Sequence, residues 1–155
     1  METSAPSYTI RMLGPGDTAT LDRVAPDVFD NDVDPRWAAE FVTDSRHHLA
    51  VALDGDTVVG IASGVHYVHP DKAPELFVNE VGVAPTYQGQ GIGRRLMHAL
   101  LGRGRDLGCH EAWVLTDYTN AAARRLYASV GGIDAAEPTL MISFDLATAA
   151  SSRTR

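Results

Sequence analysis

The sequence of 155 residues has a single cysteine, Cys109, and no apolar run near the roughly 20 residues that cross a bilayer. One cysteine excludes an internal disulfide, which is compatible with a reducing compartment. The first residues show no basic segment followed by an apolar one, so no export signal is expected. We therefore expect a cytoplasmic protein that does not bind membranes.

Basic residues are in the minority: 13 lysines and arginines face 20 acidic residues, a formal net charge of −7. This balance argues against nucleic acid as a partner and favours cationic ligands, although solubility alone explains such a charge equally well. The length is that of one domain, residues 1–155, built around one core. Residues 1–7 and 147–155 are expected to be flexible tails.

The most informative stretch runs from residue 76 to residue 101. An apolar, β-rich segment ends at Pro85, and from Ile92 onward apolar residues recur with helical spacing. Between them, Gly89, Gly91 and Gly93 leave the backbone free to approach a ligand. The unpaired N–H groups of a helix start favour an anion. The pattern predicts a strand, a phosphate-binding loop and a helix.

Two common phosphate motifs do not match this loop. A P-loop requires Gly-Lys-Ser/Thr after its last glycine, whereas this chain has Gly93-Arg94-Arg95. The dinucleotide fingerprint requires a glycine at its sixth position, where Arg94 stands. A glycine-rich turn that serves only the packing of the helix remains as the alternative.

The rest of the chain alternates between strands and helices. Strands are predicted at 8–13, 48–53, 57–68, 76–83, 111–116 and 140–146, and helices from 17 or 18 to 29, from 35 or 36 to 43, at 92–107 and at 121–130. Gly60 and Gly64 suggest a bulge or close packing in the third strand. His66 and His69 are three positions apart and therefore on opposite faces of a strand, so no metal site is expected.

Two motifs resemble those of the GNAT superfamily of N-acyltransferases. Gln88, Gly91 and Gly93 are similar to its acetyl-CoA pyrophosphate loop, Arg/Gln-x-x-Gly-x-Gly/Ala, with the same preceding strand and following helix. A second motif of the family is matched by Asn120, Ala123, Leu126, Tyr127 and Gly131. The resemblance covers residues 8–146. It implies an α/β (α+β) GNAT fold: a mixed, mostly antiparallel central sheet with splayed central strands and helices on both faces.

The resemblance also implies acetyl-CoA as the cofactor. In the family the pantetheine arm pairs with the backbone of the first splayed strand, and the glycine loop surrounds the pyrophosphate. The cofactor-binding residues implied are Val81, Gly82, Val83, Gln88, Gly89, Gln90, Gly91, Ile92, Gly93, Arg94, Asn120, Ala123 and Tyr127.

Glu80 and Tyr127 are the catalytic residues that the resemblance implies. An aliphatic amine, with a pKa of about 10, is almost entirely ammonium at neutral pH and needs a base before it attacks a thioester. Glu80 matches the family's base, and Tyr127 matches the acid that protonates the departing thiolate. Direct attack requires neither a metal nor an acyl-enzyme. A salt-bridged glutamate and a core tyrosine are the structural alternatives.

The acceptor side resembles the small aminoglycoside 3-N-acetyltransferases, through short motifs at 13–15, 77–83, 117–118 and 141–145. The acceptor would be a small cationic amine, held by Asp30, Asp32, Asp34, Glu80, Asp117 and Tyr118. Aspartates 30, 32 and 34 are equally explained as a solvated, helix-capping loop. A transferase for a protein N-terminus, a lysine or a polyamine, and a non-catalytic acetyl-CoA sensor, are further alternatives. Homodimers are common in the superfamily, so a homodimer is one expected assembly.

Overall fold

The computed structural model describes residues 7–147, so the predicted flexible tails lie almost wholly outside the described residues. The strands are β1 (Thr9–Met12), β2 (His47–Asp54), β3 (Thr57–Tyr67), β4 (Glu75–Val83) and β5 (Glu111–Val114). The helices are α1 (Pro35–Thr43), α2 (Ile92–Asp106) and α3 (Ala121–Ser129), with 3₁₀ turns at Thr18–Asp22 and Pro85–Tyr87. Within residues 7–147, every helix is too short or too polar to cross a membrane.

The five strands form one sheet in the order β1-β2-β3-β4-β5. The first three pairings are antiparallel, and β4 pairs with β5 in parallel. Gly55, with φ 59°, closes the hairpin between β2 and β3, as its Asp-Gly-Asp sequence predicts. The predicted mixed, mostly antiparallel sheet is confirmed.

Helices cover both faces of the sheet. Side chains of α2 approach β3 at Gly60 and Gly64, where an added Cβ would lie 3.1 Å from Leu96 and 3.5 Å from Leu100. Because successive strand residues point to opposite faces, Ser63 faces away from α2, towards α1. The buried core lies mainly between the sheet and α2, where Leu96 and Leu100 are fully buried.

A bulge in β4 sets the direction in which its residues point. Gly64 pairs with Val78 and Ser63 with Glu80, so Asn79 is the extra residue. A Cβ on Gly64 would lie 2.9 Å from a carbonyl oxygen of β4, so glycine permits this close approach. The close packing predicted at Gly60 and Gly64 is confirmed, but this bulge lies in β4 and not in the third strand, and it directs Glu80 to the α1 face.

The helix predicted from residue 17 or 18 to residue 29 is wrong. Only the 3₁₀ turn Thr18–Asp22 forms. Val24 leaves the turn to make a bridge with Val58, and Pro26 has no N–H to continue a helix. Asp27 then adopts a left-handed φ of 64°, which is incompatible with a helix. Residues 23–34 therefore form a loop that crosses the α1 face of the sheet.

The strand predicted at 140–146 is also absent. The segment has no regular secondary structure, and its large apolar side chains are 68–91% exposed. Alternating apolar residues favour a strand, but a strand also needs an edge to pair with, and β5 offers only four residues. The pattern alone therefore does not determine the structure here.

Candidate active site

Strand β4 separates from β5 halfway along its length. Their pairing starts at Glu75 and Glu111 and ends at Val78 and Val114, whereas β4 continues to Val83. Over residues 79–83 no described strand pairs with this edge, so its outward-facing backbone N–H and C=O groups, apart from the Val83 oxygen that accepts Gln88, are open to a ligand. A chain of amide groups can bind such an edge as an added strand. This separation is the splaying that the sequence predicted.

The glycine loop places the start of α2 at the end of this open edge. Gly89 and Gly91 adopt φ 79° and 78°, which glycine reaches without strain. Gly91 precedes α2, and no side chain caps the helix. The helical hydrogen bonds begin with Arg95 N–H to Gly91 O at 3.1 Å, so the preceding N–H groups point into the loop. Together with the helix dipole they favour an anion.

The loop is held in place before any ligand binds. The Gln88 side chain donates through Nε2 to Val83 O at 3.0 Å. The Tyr87 hydroxyl donates to the Asp54 carboxylate in the β2–β3 hairpin. These two contacts fix the loop against the end of β4 and against the hairpin.

Helix α3 forms the opposite wall of the cleft. Asn120 caps it by accepting the Ala123 N–H at 3.0 Å, as predicted. α3 packs closely on α2, since a Cβ on Gly93 would lie 3.3 Å from Leu126. Tyr127 is partly buried, and burial raises the pKa of its phenol, which keeps the proton in place.

The cleft between β4, the loop and α3 has a volume of about 550 Å³. It is lined by every predicted cofactor residue except Gly82 and Gln90. Gly82 points to the opposite face of the sheet, where it lies under Val28. Gln90 is exposed, and its carbonyl accepts the Tyr8 hydroxyl at 3.5 Å.

A second pocket, of about 350 Å³, opens on the α1 face of β4. Glu80 lines it, and so do the predicted substrate residues Asp30, Asp32 and Asp34. Trp37 and Phe41, four residues apart on α1, add aromatic surface. This pocket, which we call the acceptor pocket, adjoins a larger recess of about 820 Å³ that shares Asp30 and Asp32 with it.

Glu80 is partly buried, and burial is the main reason that its pKa lies above the ordinary value. The charge of the Asp30 carboxylate raises the pKa further, whereas a hydrogen bond from the backbone of Asp30 lowers it. A carboxylate whose pKa lies closer to neutrality is a better proton acceptor for an ammonium group. The loop that carries Asp30 thus contributes to the proton affinity of Glu80.

Asp117 and Tyr118, also predicted to bind substrate, line neither the cleft nor the acceptor pocket. Tyr118 is 81% exposed, and its ring lies 4.5 Å from the Arg124 guanidinium. The backbone oxygen of Asp117 accepts the Asn120 N–H at 2.9 Å. The structure therefore does not bring these two residues together with Asp30, Asp32 and Asp34.

Several acceptor-pocket residues were not identified from the sequence, namely Phe29, Trp37, Phe41, Ser63 and Asn79. The spacing of Trp37 and Phe41 on a predicted helix after an acidic loop was a usable signal. Ser63 and Asn79 gave no such signal, because their positions depend on the bulge.

The two histidines weighed as metal ligands have other contacts. His66 Nδ1 lies 2.7 Å from His48 Nε2, and His69 binds the Glu75 carboxylate. Within residues 7–147, no three histidine, cysteine, aspartate or glutamate side chains converge as a metal site would require.

The chain belongs to the acetyltransferase (GNAT) family, whose model matches residues 18–131. Acetyl-CoA is the acetyl donor of this family. The cleft suits it, since an open strand edge can pair with the amides of its pantetheine arm and the uncapped helix start can bind its pyrophosphate.

Two curated relatives and one solved structure illustrate the likeness. The chain is 43% identical over 86 residues to N-alpha-acetyltransferase RimI of Mycobacterium tuberculosis, which is 56% of this chain and 52% of that protein. It is 32% identical over 105 residues to mycothiol acetyltransferase of Paenarthrobacter aurescens, 64% of this chain and 31% of that protein. The chain thus spans about half of one relative and a third of the other.

The structure is similar to that of an aminoglycoside acetyltransferase, meta-AAC0020 from an uncultured soil metagenomic sample, in complex with sisomicin. The TM-score is 0.76 at 20% identity, and the match covers 90% of this chain and 96% of that chain. This likeness establishes the fold.

Proposed function

We propose that this chain transfers an acetyl group from acetyl-CoA to a primary amine of a small polycationic acceptor, the 3-amino group of an aminoglycoside being the specific candidate. The observation that carries the proposal is the position of Glu80. It points into a carboxylate-rich pocket from the same strand whose open edge borders the cofactor cleft.

In the proposed reaction Glu80 takes a proton from the acceptor ammonium, directly or through water. The neutral nitrogen then forms a bond to the acetyl carbon while the bond from that carbon to sulfur breaks. Tyr127 donates its phenolic proton to the departing thiolate, and the new amide nitrogen gives up its second proton, through water, to the Tyr127 phenolate. Glu80 then releases its proton to solvent. The raised pKa values of both groups suit these roles, because the base must accept a proton and the phenol must carry one near neutral pH.

The acceptor pocket supports a polycationic substrate. Asp30, Asp32 and Asp34 lie near Glu80, so an amine held at Glu80 would have carboxylates within reach of its other ammonium groups. Trp37 and Phe41 offer surfaces on which a sugar ring could pack. The resemblance in short sequence motifs to aminoglycoside 3-N-acetyltransferases selects the 3-amino group.

A protein N-terminus is the second candidate acceptor. The 43% identity to RimI, described as an N-alpha-acetyltransferase, favours it. An N-terminal amine carries one positive charge, so it would depend less on the aspartates than an aminoglycoside with several charges. This difference separates the two candidates.

The test is coenzyme A release by the purified protein with aminoglycosides, spermidine and peptides as acceptors. We expect the highest kcat/KM with aminoglycosides. Asp30→Asn should raise their KM roughly tenfold and leave the KM for acetyl-CoA unchanged. The matched control is Asp71→Asn, at an exposed aspartate outside the pocket, and it should change neither KM.

Three outcomes would replace this proposal. Faster acetylation of peptides would select the N-terminal acceptor, and faster acetylation of spermidine would select a polyamine. Binding of acetyl-CoA without coenzyme A release in any reaction would indicate a sensor.

High salt should weaken the effect of Asp30→Asn, because surface charges are screened over about 8 Å at physiological ionic strength.

A homodimer remains a prediction. The exposed apolar segment 140–146 is the surface that it would cover, since a contiguous apolar patch favours association. Light scattering across a range of protein concentrations measures the assembly. A monomer at every concentration would contradict the prediction.

A further inference from the structure

The backbone of Val28, in the loop of residues 23–34, lies unusually close to strand β4 at Gly82. A Cβ placed on Gly82 would lie 2.1 Å from the carbonyl oxygen of Val28, far inside any van der Waals contact. Gly82 does not have a positive φ, so its backbone conformation alone would accept other residues. Glycine is needed at position 82 because the loop rests directly on the strand.

The loop is fixed on both sides of this contact. Before it, Ala25 N–H donates to Val58 O at 2.8 Å. After it, the Asp34 side chain caps α1 by accepting the Arg36 N–H at 2.9 Å. Val28 itself is only 3% exposed. Residues 29–33 thus connect a buried contact to a helix cap.

This contact lies beside the candidate base. Gly82 and Glu80 are two residues apart on one strand, so both point to the same face about 7 Å apart. Residues 29–33 carry Asp30 and Asp32, which line the acceptor pocket. The distance between Val28 and β4 therefore affects how closely Asp30 and Asp32 approach Glu80.

We infer that Gly82 is a positioning residue for the acceptor, because it is where loop 27–34 docks on β4. The inference rests on the proposed function for its kinetic consequence, but the docking itself does not. It gives Gly82 a different role from the cofactor contact that the sequence resemblance implied.

Gly82→Ala tests the inference, because the new methyl group must push Val28 away by about 1 Å or more to reach normal contact. We expect kcat/KM for the acceptor to fall by up to about 10²-fold, since small displacements near reacting groups have effects of this size. The dissociation constant of acetyl-CoA should stay within about threefold. Gly102→Ala is the control, because nothing lies within 4 Å of a Cβ on Gly102.

Hydrogen exchange measured by mass spectrometry gives a readout that needs no substrate. Amides of residues 27–33 should exchange faster in Gly82→Ala than in the wild type, and Gly102→Ala should match the wild type. Val28→Ala leaves the backbone contact in place but removes buried side-chain packing of the same loop residue, and it should act in the same direction. If both variants release the same loop, the double variant should lose little more kcat/KM for the acceptor than the more damaging single variant does.

The pH profile separates positioning from a general loss of structure. With the loop displaced, Glu80 is better hydrated and farther from the Asp30 charge, both of which lower its pKa, whereas loss of the hydrogen bond from the Asp30 backbone raises it. Because burial is the largest cause of the raised pKa, the acid limb of kcat/KM should move to lower pH. Unchanged exchange in residues 27–33 together with an unmoved acid limb would overturn the inference. If the loop is released but the wild type acetylates no amine, the docking stands and the proposed function fails.

Discussion

His48, at the start of β2, provides a sharp test of the electrostatics of this fold. Its side chain is buried, and its Nε2 lies 2.7 Å from Nδ1 of His66. Burial, followed by the charges of His66 and Arg103, lowers the pKa of His48 from 6.5 to about 4. The folded protein therefore holds this imidazole neutral, whereas the unfolded chain protonates it near pH 6.5.

The consequence is a loss of stability in mild acid. A histidine with a lowered pKa contributes its full stability above the unfolded pKa and loses it as the pH falls from about 6.5 towards 4. At 1.36 kcal/mol per pKa unit, going from pH 7.5 to pH 5.0 should lower the free energy of unfolding by about 2 kcal/mol through His48 alone. That is a large share of the 5–15 kcal/mol typical of a domain.

Urea unfolding followed by circular dichroism at pH 7.5 and pH 5.0 measures this effect. His48→Gln keeps a neutral hydrogen-bonding group and should remove about 2 kcal/mol of the pH dependence. His98→Gln, at an exposed position on α2, is the matched control and should keep the wild-type pH dependence. If His48→Gln loses as much stability at pH 5.0 as the wild type does, the argument from burial is refuted.

Two further predictions concern the active site. Glu80→Gln should lower kcat by about 10²-fold and remove the acid limb of the pH–rate profile, and its deficit should shrink at alkaline pH, where the amine is already neutral. An acid limb that persists in initial rates between pH 5 and 9 would assign the base to another group. Gly91→Glu should abolish acetyl-CoA binding in calorimetry, because it places a negative charge at the uncapped start of α2, whereas Gly102→Glu should bind normally. Normal binding by Gly91→Glu would contradict a pyrophosphate site at this loop.

The glycine loop and the capped start of α3 could be predicted from the sequence because their determinants are local. Gln88, Gly91 and Gly93 stand within six residues, and the loop depends on their backbone geometry and on the nearby Gln88 contact with Val83. Asn120 caps α3 and Tyr127 lies on it, so their spacing in the sequence fixes their relative positions in space. Features that depend on residues close together in the sequence can be predicted from the sequence alone.

The acceptor side could be predicted only in part, because it depends on contacts between distant segments. The acidic loop was recognised by composition, but the predicted helix before it failed when Val24 paired with Val58 instead. Tertiary pairing overrode a local helical pattern there. Asp117 follows β5, which separates from β4, and this separation explains why Asp117 does not line the acceptor pocket.

Strand β4 uses its backbone at one site and its side chains at another, and this difference affects how the protein can evolve. Its open edge over residues 79–83 presents peptide groups, which are the same whatever residues stand there. Its α1 face presents Glu80 and the docking position Gly82, where identity matters. Substitutions that remodel the acceptor pocket can therefore accumulate on one face without changing the peptide groups of the edge, where we expect the donor to bind. Such an arrangement makes new acceptor specificities accessible by few mutations without first losing the donor.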